Sequence, residues 1–219
     1  MRPLTCILTF VALVANVRAA STLPTPITLV TYDAAVGNEF AVTTSVAGLT
    51  ATPLQAGNSA ASLEPGVAVP SSVFLMTTVA SPTAAAAIAN QQYIQFTAAP
   101  QLGVTVTFET MSFRVANGGP SGPRGWALTS SLDGFAAIQA SATIPTTAPT
   151  FTDFQVVLPA GAPSNTATVF RLYGFAPAAG NGIFLDSISL SGTLVPEPSS
   201  AALLALAAGA TALRSRRKR

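Results

Sequence analysis

Between Ala20 and Leu194 the chain carries seven carboxylates, Asp33, Glu39, Glu64, Glu109, Asp133, Asp153 and Asp186, and three guanidinium groups, Arg114, Arg124 and Arg171. The same stretch has no histidine, cysteine or lysine. Ser-His-Asp triads, Cys-His pairs, imidazole zinc sites and Schiff-base chemistry therefore lack their essential groups. Paired-carboxylate chemistry survives in principle, because glycoside hydrolysis needs two carboxyl groups across a cleft, about 5 Å or roughly 6.5–9.5 Å apart. None of the seven acids sits in a motif that sets up such a pair, so the expectation is a protein that is not an enzyme. Nucleic-acid binding is disfavoured too. The body has a net charge of −4 with its three arginines scattered, and the basic balance of the whole chain comes from its ends.

Four side chains in this body invite a ligand reading. Asp186 lies between Phe184 and Ile188, at the spacing that places all three on one side of a strand, where a lone carboxylate is costly. Three solutions are open: pairing with Arg114 or Arg171, hydrogen bonds to loop amides, or a structural calcium shared with Asp33 or Glu39. If Ile183 and Leu185 face inward instead, Asp186 is simply exposed. Trp126, Arg171 and Tyr173 are candidates for a sugar platform, because carbohydrate C–H faces stack on exposed aromatic rings. The favoured reading is instead that Trp126 is a core aromatic on a strand and Tyr173 a strand-surface residue, sharing a stripe with Arg171 and Phe175.

These residues must be positioned by strands. Runs rich in β-branched and aromatic residues, punctuated by Gly, Pro, Asn and Asp, predict strands at Ile27–Asp33, Val73–Val79, Tyr93–Thr97, Val104–Val115, Gly125–Ser131, Phe135–Ala140, Thr152–Leu158, Ala167–Phe175 and Ile183–Ser191. An alanine patch, Thr83–Asn90, predicts one or two helical turns. Within the longest run Val104, Val106 and Phe108 keep one parity, and Met111, Phe113 and Val115 the other. Such a slip calls for a bulge near Glu109 and Thr110, or for two strands bending between sheets. Asp133-Gly134 reads as a tight hairpin turn before a ligand site. The whole pattern predicts an all-β antiparallel sandwich of jelly-roll or lectin-like type, one domain over residues 20–194.

The ends carry transit information. Arg2, the apolar run Leu4–Ala15 and small residues at Val17 and Ala19 make residues 1–19 a signal peptide, cut after Ala19. Cys6 leaves with it, so the mature chain has no thiol and no disulfide. At the other end Val195-Pro196-Glu197-Pro198 precedes an apolar run, Ala201–Leu213, and a basic cluster, Arg214, Arg216, Arg217, Lys218 and Arg219. The uncharged positions 198–213 span about 24 Å as a helix, short of the roughly 30 Å hydrocarbon core, and the basic tail orients the C-terminus to the cytoplasm. Prolines on both sides of Glu197 keep that segment extended.

This tripartite tail, residues 195–219, resembles the PEP-CTERM sorting signal of exported proteins of Gram-negative bacteria, and Trp126 through Phe135, Phe170–Phe175 and Leu185–Gly192 look like the jelly-roll body common among such proteins. The resemblance implies export through the Sec translocon, removal of the signal by signal peptidase, transient anchoring in the inner membrane and cutting by exosortase at the motif. It further implies residence in the envelope or extracellular matrix, in contact with exopolysaccharide. The expected function is accordingly that of a non-catalytic envelope or matrix protein. A carbohydrate-binding module and a glycoside-active enzyme are the alternatives. No cofactor is expected beyond the calcium alternative.

Overall fold

The computed structural model describes residues 25–34, 37–57, 61–66, 72–119, 122–145 and 150–197. The expected signal peptide, Pro198, the apolar run and the basic cluster lie outside these. Among the described residues the strands are β1 Ile27–Tyr32, β2 Thr44–Ser45, β3 Leu49–Ala51, β4 Gln55–Ala56, β5 Ala61–Pro65, β6 Val73–Thr77, β7 Tyr93–Pro100, β8 Val104–Asn117, β9 Arg124–Ser130, β10 Ala140–Ile144, β11 Thr152–Val157, β12 Thr168–Phe175 and β13 Gly182–Pro196, with one helix, α1 Ala84–Ala89. The larger sheet runs β11-β8-β13-β1-β2, with β6 also on β13 and β5 on β6. The smaller runs β10-β9-β12-β7-β3, with β4 also on β7. All these pairings are antiparallel. The all-β sandwich expected from the sequence is thus the observed architecture.

The two sheets close over one core in which aromatic rings cross the gap. Phe108 on β8 meets Phe170 on β12 edge to face at 5.3 Å, Phe113 on β8 meets Trp126 on β9 at 4.8 Å, and Tyr32 on β1 meets Phe96 on β7 at 4.9 Å. Edge-to-face pairs set the negative ring face against a positive ring edge, which adds to the burial of their large apolar area. Around them pack Leu29, Leu75, Ile94, Met111, Val115, Leu128, Leu172, Ile183, Leu185 and Leu190. A second, smaller cluster lies on the outside of the smaller sheet, where α1 lays Ala87 against Tyr93, Ala127, Tyr173 and Phe175. Thr83 caps α1 by accepting from the Ala86 amide at 3.2 Å, and Asn90 closes it.

The parity slip in β8 is a bulge within one sheet. Ser191 faces Thr110 and Gly192 faces Phe108, leaving Glu109 as the extra residue. Both halves of β8 thereby keep their apolar side chains in the same core. Gly192 is required there, since a Cβ would stand 2.0 Å from the Thr107 carbonyl oxygen. A second bulge gives β13 an extra residue between Asp186 and Ser189, with Ser187 at φ 51°.

One expectation is corrected. Asp133-Gly134 does not make a tight hairpin turn followed by a strand at Phe135–Ala140. A short 3-10 turn, Ser131–Asp133, is followed by Gly134 and Phe135 in left-handed backbone, and the partner of β9 begins only at Ala140. The Asp133 carboxylate accepts from the Ala137 amide at 3.2 Å, a loop-closing role.

Candidate functional site

Outer faces and strand ends carry the groups that remain for function. On the smaller sheet, inner and outer residues alternate along β12: Phe170 and Leu172 enter the core, whereas Arg171, Tyr173 and Phe175 point outward. The stripe expected from the sequence exists, but it divides in two. Tyr173 is 4% exposed beneath α1, with its ring 5.0 Å from that of Tyr93. Trp126 is 2% exposed, held by Phe113 and Phe154 on the core side. Neither can offer a face to a sugar, and both aromatic platform candidates are withdrawn on that ground.

Arg171 alone keeps its place. Its guanidinium lies over the Phe135 ring at 4.0 Å and the Tyr93 ring at 4.7 Å, and Nε donates to Gln95 Oε1 at 3.4 Å. Stacking on two rings holds the planar fork in one orientation. The register sets Gln95 of β7 on one side and Thr129 of β9 on the other, with Gln55 of β4 next to Gln95. Thr129 Oγ1 has no hydrogen-bond partner. The result is a preorganised donor fork in a polar, uncharged surround. Phe135 gave no signal in sequence, because its left-handed backbone turns the ring out of the strand pattern that was read for it.

On the outer face of the larger sheet, register aligns Asp153, Arg114 and Asp186 across β11, β8 and β13. Arg114 Nη1 lies 3.1 Å from Asp186 and Nε lies 3.3 Å from Asp153, and the guanidinium sits 4.9 Å over the Phe151 ring. Asp186 is therefore solved by ion pairing with Arg114 and stands on the face opposite Ile183 and Leu185. A shallow depression of about 390 Å³ adjoins this ladder, lined by Ser112, Phe154, Gln155 and Ser187 among others. Asp33 and Glu39 serve elsewhere: the Asp33 amide donates to Thr43 Oγ1 and Glu39 accepts from the Gly37 amide. Among the described residues no three acids gather as a metal site.

Two buried polar groups are structural. Arg124 is fully buried and donates to the Gly182 carbonyl at 3.1 Å and to Asn181 Oδ1, and burial lowers its pKa. Tyr32 donates to the Thr52 carbonyl at 2.7 Å, and burial pushes its pKa well above the ordinary value.

The third place of interest is the end of β13. Val195 pairs with Thr105 and Pro196 with Val104, as the last rungs of the β8 ladder. The Glu197 amide donates to the Gly103 carbonyl at 2.8 Å, and Thr105 Oγ1 donates to the Val195 carbonyl at 3.3 Å. The segment is extended, as the prolines require, but it is docked on a neighbouring strand. Among the described residues no helix is long and apolar enough to cross a membrane.

No family model and no curated protein matches the chain. Among solved structures it is similar to a family 29 carbohydrate-binding module complexed with mannohexaose, at 10% identity and TM-score 0.40, over 77% of this chain and 93% of that one. It is similar to the K3 cleaved adhesin domain of Lys-gingipain from Porphyromonas gingivalis W83, at 16% identity and TM-score 0.42, over 76% and 99%. A family 11 carbohydrate-binding module from Clostridium thermocellum follows at 9% identity and TM-score 0.33, over 74% and 95%. At these values no ligand, activity or role is carried from them to this chain.

Proposed function

We propose that this chain is a non-catalytic protein of the cell envelope or extracellular matrix, exported by the Sec translocon, relieved of residues 1–19 by signal peptidase, and cut by an exosortase-type enzyme within Val195–Pro198. The observation that supports it is how closely the fold abuts the motif. Among the described residues the last ladder rung is Pro196 and the last backbone hydrogen bond comes from Glu197, inside the very motif that resembles a sorting signal. A cut after Glu197 would release the apolar run and basic cluster without removing a strand residue. Asp153 and Asp186, which register aligns on either side of Arg114, share its guanidinium, which supports a structural role over acid–base catalysis for that pair. Glu197→Gln and Pro198→Ala should each leave uncut protein in the membrane fraction while the body keeps its thermal unfolding midpoint. Normal release of both variants would defeat the sorting reading.

A second reading, saccharide binding by the body, is favoured by Arg171. A guanidinium clamped between two rings loses little freedom when its outward N–H groups meet hydroxyls or a uronate carboxylate. The ligand surface would then be the Arg171 fork with Gln95 and Gln55, and not the buried Trp126, Tyr173 and Thr129.

A further inference from the structure

A single exposed leucine says little, but Leu102, the most exposed of the six large apolar side chains exposed among the described residues, stands beside the point where the described chain ends. Leu102 is fully exposed at the tip of the turn Gln101–Val104, closed by the Val104 amide donating to the Gln101 carbonyl at 3.1 Å, with Gly103 at φ 78°. Val195 pairs with Thr105, so this exposed apolar residue lies at the same end of β13, whereas Ile27, opposite Gly192 on β1, stands further from the turn. The neighbouring loops are uncharged. Val46–Gly48 is joined to the turn by the Gln101 amide and Gly48 carbonyl at 2.8 Å, and Pro163–Thr166 is joined to β8 by the Ser164–Val106 bridge. Glu197, whose amide is bonded to Gly103, is the acid beside this turn.

The length of chain beyond the fold sets how far this tip can stand from the apolar run. Glu197 is bonded to Gly103, the residue after Leu102, and only residues 198–200 separate it from Ala201. Four Cα steps span at most about 14 Å, while the headgroup layer on one side of a bilayer is roughly 5–8 Å thick. We infer that Leu102, with Val195 on the neighbouring strand, rests in the lipid interface for as long as the tail is in the membrane, so that the sandwich stands on the bilayer by its Gln101–Val104 turn. The site is a lipid surface contact. It rests on the membrane-inserted tail of the proposed function and adds to it which end of the body meets the membrane. The uncharged loops leave the Glu197 carboxylate as the charge beside the contact, and it can stay in the hydrated headgroup layer.

The test uses the full chain carrying Cys6→Ser, in which a single introduced cysteine is the only labelling site. Leu102→Cys, Ala179→Cys in the β12–β13 turn at the far end of β13, and Ala207→Cys in the apolar run are each labelled with an environment-sensitive fluorophore and reconstituted in phosphatidylethanolamine–phosphatidylglycerol vesicles. The expected result is a blue-shifted emission, quenched by headgroup spin-labelled lipid, at positions 102 and 207, with position 179 remaining aqueous. A lipid signal at 207 with an aqueous 102 overturns the contact and leaves the tail reading standing. An aqueous 207 overturns the tail reading and the contact with it. Lipid signals at both 102 and 179 mean that the whole body adsorbs, which also overturns an end-specific contact.

Discussion

Replacing Trp126 separates core packing from ligand binding, and the structure allows the size of the effect to be worked out. The indole is 2% exposed, with ring centroids 4.8 Å from Phe113 and 5.0 Å from Phe154. Trp126→Ala removes this filling from the gap between the sheets, at a cost of about 3–5 kcal/mol for a buried aromatic. Trp126→Phe is different, because two terms oppose. Losing about 40 Å³ costs roughly 1 kcal/mol of cavity and about as much again in transfer. The indole N–H, however, is buried with no acceptor, and removing an unsatisfied donor returns about 1–3 kcal/mol. Trp126→Phe should therefore lie within about 1 kcal/mol of wild type. Urea unfolding of the mature chain reads both values, and retention on polysaccharide gels is read in parallel. Trp126→Phe should leave any retention unchanged. A Trp126→Ala variant with wild-type stability and lost retention would refute the placement of this ring in the core.

The remaining perturbations address other groups. Arg171→Gln should abolish retention on alginate, a uronate polymer, while shifting stability by less than about 1 kcal/mol, as for a solvent-facing stacked cation; unchanged retention would end the saccharide reading. Asp186→Asn should cost about 0.5–1 kcal/mol and Asp153→Asn less, because their side chains are 16% and 87% exposed. A double-mutant cycle with Arg114→Met checks that order. Tyr32→Phe loses the bond to the Thr52 carbonyl, about 0.5–1.5 kcal/mol at neutral pH. With the folded pKa raised by burial, the stability Tyr32 contributes is complete below the unfolded value near 10 and is lost as pH rises from there toward the folded one. Urea curves at pH 8 and pH 11 should accordingly show a gap between wild type and Tyr32→Phe that narrows at the higher pH.

Much of the frame was legible because burial leaves parity in the sequence. The slip between Phe108 and Met111 located the Glu109 bulge, and the alanine patch between Thr83 and Asn90 located α1. The short strands β2, β3 and β4 were not legible, since two or three residues cannot display a period. Trp126 is the core aromatic that the favoured reading made it, whereas Tyr173, read as a surface residue, is buried, and alternation could settle neither for a shared reason. Every residue of β9 is buried, and α1 covers the outward side of β12, so alternation no longer distinguishes core from solvent. Of the candidate site, Arg171 was visible as a charge in an apolar strand. Its partners Tyr93 and Phe135 come from other strands and loops, and only the register brings them together. Asp186 was read on one side with Phe184 and Ile188, but Ile183 and Leu185 face the core, the bulge after Asp186 brings Ile188 back into it, and Asp186 stands on the outer face paired with Arg114, one of the partners the sequence offered.

The most direct test of export and trimming is the intact mass of the protein recovered from its native envelope and growth medium. The expected species begins near Ala20 and ends within Val195–Pro198, with any added mass at that end identifying an acceptor. A chain that still ends at Arg219 and stays embedded in the membrane would contradict the proposal and make the tail a permanent anchor.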